Sequence, residues 1–220
     1  MLRYLTANTV AELICFLIAL LCLVKDNNLV WKSMIFYLFA TCFAEIGGIY
    51  ISGPGHLTSN HWVYNIFLIC EIGFTHLMYF YLLGKYINSK PVILTGLAIL
   101  AILYSYETID HSFFVYNNLT YTIMSVIFVV YGLYYYYLLL KDDNYVMLKN
   151  FPDFWWVAGT LFFYFANTAC NFFGNNLRSI ILWDGHHLNY YIFRVLNILL
   201  YSCWSYSFIC KKWLTTKSET

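Results

Sequence analysis

The stretch HWVYNIFLICEIGFTHLMYFYLL (His61–Leu83) contains 23 residues, and Glu71 is its only formally charged side chain. A helix needs about 20 mainly apolar residues to cross the hydrocarbon core of a bilayer. Six other runs of this kind lie between polar breaks, at residues 5–24, 32–51, 91–106, 118–140, 153–173 and 188–210. The sequence therefore predicts an all-α integral membrane protein with seven spans, in a single domain of residues 1–220.

The composition supports this prediction, because the chain is 61% hydrophobic, 22% aromatic and only 10% charged. A soluble domain is roughly one quarter charged, and it would aggregate if it exposed this much apolar surface. The net charge of +1 excludes a nucleic-acid partner, which requires a basic face. The lipid bilayer is thus the partner that the sequence predicts.

Orientation is predicted by the basic residues of the short loops, since lysine and arginine concentrate on the cytoplasmic side. Only Arg3 and Arg178 fall on the opposite side. The loops after the first, third and fifth spans and the C-terminal tail hold nine lysines: Lys25, Lys32, Lys85, Lys90, Lys141, Lys149, Lys211, Lys212 and Lys217. The N-terminus is predicted outside and the C-terminus in the cytoplasm. Richness in Ile, Asn, Tyr, Phe and Lys indicates an AT-rich genome, and hence a bacterial inner membrane.

Three pairs of segments repeat in the same order along the chain. LVKDNN (23–28) resembles LLKDDN (139–144), FAE (43–45) resembles FAN (165–167), and HWVYNIFLICEI (61–72) resembles HLNYYIFRVLNI (187–198). The pairs predict a repeat A of about residues 5–84, a linker helix at 91–106, and a repeat B of about 118–210. Because equivalent helices are four spans apart, the repeats run in parallel, related by an axis near the membrane normal.

This plan of three helices, one helix and three helices resembles the seven-helix families that include microbial opsins and small sugar or vitamin transporters. The third span, with Tyr-Asn-Ile-Phe at 64–67 followed by Glu71, is similar to that of uncharacterised small bacterial membrane proteins. Neither resemblance implies a function. Retinal requires a lysine inside the last helix, whereas Lys211 and Lys212 lie at its end, so no cofactor is predicted. Pro54, Pro91 and Pro152 lie in loops or at helix ends, unlike the kinking prolines of PQ-loop sugar transporters.

Several polar side chains fall inside the predicted spans. An ionisable residue at the middle of a span costs about 2.5–3.5 kcal/mol on insertion scales, so such residues face protein or water. Side chains three or four residues apart share a helical face, and the repeat equates Glu45 with Asn167 and Glu71 with Asn197. We therefore predict that Arg194 pairs with Glu71 or Glu45. The predicted ligand or ion pocket comprises Glu12, Glu45, Glu71, Asn167, Asn171, Arg194 and Asn197, with His76, Tyr164 and Tyr201 in secondary positions.

Two interpretations of this polar cluster remain open. Buried polar residues can simply tie helices together, at about 0.6 kcal/mol per bond, but three glutamates and an arginine exceed what such bonding requires. The functional interpretation is a sensory or ligand-binding membrane subunit that accepts a proton or a small cation and acts through a cytoplasmic partner. The alternatives are a small transporter or channel for a cation or polar solute, and an intramembrane lipid hydrolase. An enzyme is the less favoured class, because the chain lacks a nucleophile elbow, a zinc-protease helix and a phosphate-binding loop.

Two loop segments and the cysteines complete the sequence-based predictions. WDGHH (183–187) contains one acid and two histidines, but neighbouring loop residues need a further ligand to hold a metal, so no metal site is predicted. ETIDH (107–111) is expected to be solvated. The seven cysteines lie in apolar runs without a C-x-x-C pair, which indicates small buried hydrophobic residues rather than a disulfide framework.

Overall fold

The computed structural model describes residues 6–52, 59–143, 147–182 and 185–218, and these residues form α-helices and no β-strand. The all-helical prediction is therefore confirmed. Arg3, Pro54 and Asp184 lie outside the described residues. The helices are α1 (Ala7–Leu23), α2 (Leu29–Ile51), α3 (His61–Leu83), α4 (Lys90–His111), α5 (Asn118–Lys141), α6 (Pro152–Phe172), α7 (Gly174–Ser179) and α8 (Leu188–Ser218).

The helix ends differ from the sequence-based bounds at several places. The linker helix α4 continues to His111 instead of ending at residue 106, and α8 continues past residue 210. Helix α2 begins at Leu29, earlier than the predicted residue 32, because Asn28 caps it. The side-chain oxygen of Asn28 accepts from the N–H groups of Val30 at 2.9 Å and Trp31 at 3.3 Å. Asparagine is a favoured residue at this position. The six-residue helix α7 was not predicted.

The end of α4 corrects the expectation that the ETIDH segment is solvated. Glu107 is buried, and its carboxylate accepts from the N–H of Leu119 at 2.9 Å, the N–H of Thr120 at 2.7 Å and the hydroxyl of Thr120 at 2.6 Å. The first N–H groups of a helix lack partners within it and carry partial positive charge. Glu107 therefore caps the first turn of α5 from the preceding helix, while Asp110 and His111 remain exposed.

In the part of the chain that the structure describes, five helices are long and apolar enough to cross a membrane by length and composition: α2, α3, α4, α5 and α8. The apolar helix α1 is shorter, with 17 residues, and α6 contains Asn167 and Asn171. Large apolar side chains cover the outward faces, among them Leu21, Phe36, Ile102, Leu140 and Val195. Such a surface would aggregate in water and suits lipid, so the fold is compatible with a multi-pass membrane protein.

The long helices form a ring around a central space. α1 packs against α2, α2 against α3, α5 against α6 and α6 against α8, and α8 returns to contact α1. α3 also contacts α5, and α4 packs against both of these helices. We name the two ends of the ring by their residues. The amino end is where α1, α3, α5 and α8 begin, and the lysine end is where Lys25, Lys32, Lys85, Lys90, Lys141, Lys149, Lys211 and Lys212 lie.

The half of the ring nearest the lysine end is tightly filled. Tyr79, Phe128, Tyr135 and Phe208 are completely buried there. α6 and α8 approach closely because α6 carries Gly159, where an added Cβ would lie 2.8 Å from the Cβ of Cys203. Small residues at such crossings allow membrane helices to pack through their backbones.

Candidate functional site

A cavity of about 250 Å³ lies among six helices, mostly in the half of the ring nearest the amino end. α1, α2, α3, α5, α6 and α8 contribute to its wall, together with Tyr116 just before α5. The polar residues that line it are Asn8, Glu12, Thr41, Glu45, Glu71 and Asn197, and the aromatic residues are Tyr37, Tyr64, Phe67, Tyr116, Tyr121, Phe163, Tyr164, Phe193 and Tyr201. The structure thus brings together Glu12, Glu45, Glu71 and Asn197 of the predicted pocket, with Tyr164 and Tyr201.

The three carboxylates lie on three successive helices, with Glu12 on α1, Glu45 on α2 and Glu71 on α3. Glu12 and Glu45 are close enough to repel each other when both are charged. Within the described part of the chain, no lysine, arginine or histidine lines the cavity. Carboxylates that are taken out of water are costly to keep charged unless they are paired.

Tyrosine hydroxyls are the partners of these carboxylates. Tyr164 on α6 donates to Oε1 of Glu71 at 2.6 Å across the cavity. Tyr64 donates to Oε2 of Glu45 over a long 3.5 Å, and Tyr201 interacts with Glu12. One oxygen of Glu12, Oε2, is buried without a partner. The site is therefore preorganised at Glu71 and unsatisfied at Glu12.

Aromatic rings form most of the remaining wall, and the sequence analysis did not single out most of them. A ring presents a negative face that attracts cations. Helical spacing was a signal that could have found some of them, because Tyr37, Thr41 and Glu45 are four residues apart on α2. Gly48 on the same helix leaves room for Tyr64, since an added Cβ would overlap the Tyr64 hydroxyl.

Aromatic rings pack together on the lysine-end side of Tyr37, which lines the cavity; we use the term aromatic floor for Tyr37, Tyr79, Trp156 and Trp204. The rings of Trp156 and Trp204 stack with centroids 5.7 Å apart. Tyr37 packs against Trp204 at 5.9 Å and Tyr79 against Trp156 at 5.4 Å. The indole N–H of Trp204 donates to the carbonyl of Trp156 at 3.2 Å and to the hydroxyl of Thr160 at 3.1 Å. Tyr37 thus joins the cavity wall to a network of packed rings.

Asn167 and Asn171 do not join the cavity. The side-chain N–H of Asn167 donates to the hydroxyl of Ser125 at 2.9 Å, and that of Asn171 approaches the hydroxyl of Thr122 at 3.4 Å. Both partners belong to α5, which packs beside α6. The shared face predicted for these residues therefore meets a neighbouring helix, whereas Phe163 and Tyr164, further along α6, line the cavity.

Arg194 does not form the ion pair that the sequence analysis predicts. Its guanidinium lies over the ring of Tyr190, 5.2 Å from the centroid, and among the described residues no ion pair joins it to Glu45 or Glu71. Residues three apart on a helix differ by about 60° in direction. Because Asn197 faces the cavity, Arg194 turns aside toward Tyr190.

His76 belongs to a different environment, between α3, α4 and α5. Its Nδ1 lies 2.8 Å from the carbonyl oxygen of Ile72, and its ring packs edge-to-face with Phe128 at 5.2 Å and Tyr131 at 5.6 Å. It lines a separate, mostly apolar cleft of about 440 Å³ beside α4. The ten predicted site residues are thus divided among at least three surroundings.

The loop before α8 adds no metal site to the described structure. His186 stacks on Tyr190 at 4.6 Å. Over residues 6–52, 59–143, 147–182 and 185–218, no three His, Cys, Asp or Glu side chains are grouped so that they could hold a metal ion.

Comparisons of the chain with protein-family models, with curated proteins and with solved structures found no match. The cavity carries the functional argument.

Proposed function

We propose that this chain is a ligand-binding membrane protein whose cavity takes a small organic cation. The observation that carries the proposal is the combination of Glu12, Glu45 and Glu71 with nine aromatic side chains and no basic side chain in the described wall. A cation would neutralise carboxylates whose burial is otherwise costly. It would also gain about 0.5–2 kcal/mol from a suitably placed ring face.

The size and arrangement of the cavity favour an organic cation over a metal ion. Calcium requires six to eight oxygen ligands at about 2.3–2.6 Å, whereas the carboxylates of Glu45 and Glu71 already meet tyrosine hydroxyls. The volume of about 250 Å³ exceeds by several fold the roughly 30 Å³ that a water molecule occupies in the liquid. A ligand with both a charge and an apolar body would use the whole wall.

The orientation and the span count belong to the same proposal. Seven spans place the amino end, and with it the cavity, on the outside, and they place the lysine end in the cytoplasm. The lysine bias supports this arrangement. The sensory function is supported by α8, a single helix of 31 residues (Leu188–Ser218) that contains both the cavity residue Asn197 and Lys211. A shift of α8 on ligand binding would reach a cytoplasmic partner at the lysine end.

The test is calorimetric titration of the purified protein in nanodiscs with a panel of organic ammonium ions and matched neutral compounds. The triple variant Glu12→Gln/Glu45→Gln/Glu71→Gln should lose binding of every cation, because it removes the charge and keeps the shape. Asp110→Asn, which neutralises an exposed carboxylate near the amino end, serves as the matched control and should bind like the parent. Equal affinity for charged and neutral compounds would contradict the proposal.

A transporter for the same cation is the second candidate, and the ion pairs at the lysine end favour it. Lys85 pairs with the buried Asp153 at the start of α6, and Lys211 lies 3.7 Å from the buried Asp26 just before α2. His61 and His187 are 126 positions apart, and so are Lys85 and Lys211. In the proposed parallel repeat, each third helix therefore contacts the start of the second helix of the other half.

Other contacts also support this repeat. Phe67 and Phe193 are equivalent in it, as are Glu71 and Asn197, and all four line the cavity. The closing contact between α1 and α8 corresponds to the contact between α3 and α5. Two halves held together at the lysine end and separated by a cavity toward the amino end describe one state of an alternating-access transporter.

The ion pair of Lys85 would hold this state closed at physiological pH. Burial lowers the pKa of the Lys85 ammonium, whereas its interactions, chiefly with the adjacent Asp153 carboxylate, raise the same pKa. The upward contributions outweigh the effect of burial, so the pKa of Lys85 is raised from its usual 10.5. The group stays charged, and opening would require the two partners to separate. In proteoliposomes, carboxylate-dependent flux of a bound cation would support the transporter, whereas binding without flux would favour the ligand-binding subunit.

A further inference from the structure

Two oxygen atoms of the cavity wall lack hydrogen-bond partners in the described structure. They are Oδ1 of Asn8 and Oε2 of Glu12. Both atoms are buried, and the Glu12 side chain as a whole is 5% exposed. Buried polar atoms are nearly always hydrogen-bonded in proteins, so each exception needs an explanation.

The two oxygens belong to one face of one helix. Asn8 and Glu12 are four residues apart on α1, which makes them neighbours on the helix surface with Cβ atoms about 5–6 Å apart. Both residues line the same cavity. Together they form a pair of acceptors without donors on one side of the cavity.

The other carboxylates of the cavity do not share this property. The hydroxyl of Tyr164 satisfies Glu71 at 2.6 Å, and Tyr64 faces Glu45 at 3.5 Å. Among the described wall residues, the buried oxygens that lack a donor therefore both lie on α1. An occupant bound here must bring its own donors together with its positive charge.

A protonated amine has this chemistry. A primary ammonium group carries a full charge and three N–H donors, enough for both oxygens on α1. A quaternary ammonium group carries the charge without any donor, and would leave both oxygens unpaired. The ring faces elsewhere in the wall, including Phe67, Phe163 and Phe193, suit the apolar part of the same molecule.

We infer that the ligand is a primary or secondary amine with a ring-sized apolar group, bound in its protonated form through Asn8 and Glu12. This inference rests on the proposed cation-binding function and names the class of cation. The ammonium group lies against α1, and the apolar group extends toward the phenylalanine rings of α3, α6 and α8.

Three probes with one carbon skeleton test the inference: the 2-phenylethylammonium ion, its N,N,N-trimethyl analogue and neutral 2-phenylethanol. Titration calorimetry of the full chain in nanodiscs should give the primary ammonium an affinity at least about tenfold above that of the trimethyl analogue, because hydrogen bonds to charged groups are among the stronger ones. In Asn8→Leu this ratio should fall below about threefold. Asn8→Ser, which keeps an acceptor, should retain more of the ratio.

The control variant is Glu45→Gln, which removes a cavity charge that already faces a tyrosine. It should weaken both cations alike and leave their ratio unchanged. Equal or tighter binding of the trimethyl analogue by the parent would overturn the amine inference while leaving the cation cavity intact. Failure of both cations to bind to a monodisperse, cooperatively unfolding parent would instead overturn the proposed function itself.

Discussion

The two halves of the ring differ in how they use buried space. In the half nearest the amino end, three carboxylates and nine aromatic side chains surround a cavity of about 250 Å³. In the half nearest the lysine end, completely buried rings such as Tyr79 and Phe128 fill the interior, and the two ion pairs cross it. The first arrangement leaves internal volume open around its polar groups, whereas the second fills its volume with rings. Buried polar atoms without a hydrogen-bond partner occur in both halves, among them Oε2 of Glu12 and Oδ2 of Asp26. The proposed function places binding in the hollow half and rigidity in the filled half.

The largest effect should come from opening the filled half. Trp156→Ala removes a ring that is 1% exposed and stacks on Trp204, so it should lower the free energy of unfolding by about 3–5 kcal/mol. Denaturant unfolding in mixed micelles measures this loss. Trp213→Ala, at an indole that is 61% exposed, is the matched control and should change stability little. A small loss for Trp156→Ala would mean that the filled half is not the rigid one.

The next largest effect should come from the rim of the hollow half. Glu107→Ala strips the cap from α5 and leaves two buried N–H groups without their acceptor, which should cost about 2–3 kcal/mol. The same unfolding assay applies, with Asp110→Ala as the exposed neighbour that should be nearly neutral. If both variants lose the same stability, the cap is not what organises this end.

The ion pair at the lysine end should have an intermediate effect. Lys85→Met leaves the buried Asp153 without its cation and should cost about 1–2 kcal/mol, while Lys85→Met/Asp153→Leu should recover most of the loss. Because the pKa of Lys85 is raised above 10.5, its contribution is complete at lower pH and is lost only as the pH rises through that raised value. The difference between parent and Lys85→Met should therefore be the same at pH 6 and pH 9. A difference that shrinks over this interval would contradict the upward shift.

The smallest effect on stability should come from the carboxylates of the cavity. Glu12→Gln keeps the shape and removes a buried, partly unsatisfied charge, so in the absence of ligand it should change the free energy of unfolding by less than about 1 kcal/mol, or raise it. The same variant should weaken cation binding by about tenfold or more. A large loss of stability together with unchanged binding would assign Glu12 to scaffolding and remove the contrast between the halves.

Part of the candidate site could be predicted from the chain alone. Glu12, Glu45, Glu71 and Asn197 were predicted together, because charged and amide groups inside apolar runs must turn away from lipid, and the structure places them around one cavity. Asn167 and Arg194 were predicted with them and lie elsewhere. Helical spacing defines a face only to within about 60–100°, which is enough to choose between lipid and protein but not between two protein neighbours.

Glu107 and the tyrosines of the wall show a second limit. The segment around Glu107 has the polar composition of a solvated loop. Nothing in the neighbouring sequence indicates that this glutamate caps the next helix. Tyr37 and Tyr121 are equally ordinary in a chain with 22 tyrosines. Their role depends on which side chains lie across the cavity, and contacts of that range depend on how the helices pack.

By itself, the sequence determined that this protein is helical, that its apolar surface suits a bilayer and that lysines concentrate at one end of its helices. These properties follow from local composition and spacing, because the length of an apolar run and the charge of a loop are read without knowing the neighbours. Only the tertiary structure decided that α1, α2 and α3 direct three carboxylates into one cavity, that aromatic rings pack together on its lysine-end side, and that Arg194 stays outside. The physical reason is that the packing of the helices against one another determines which face of each helix points into the ring. The partners that a buried polar side chain can reach therefore depend on the neighbouring helices.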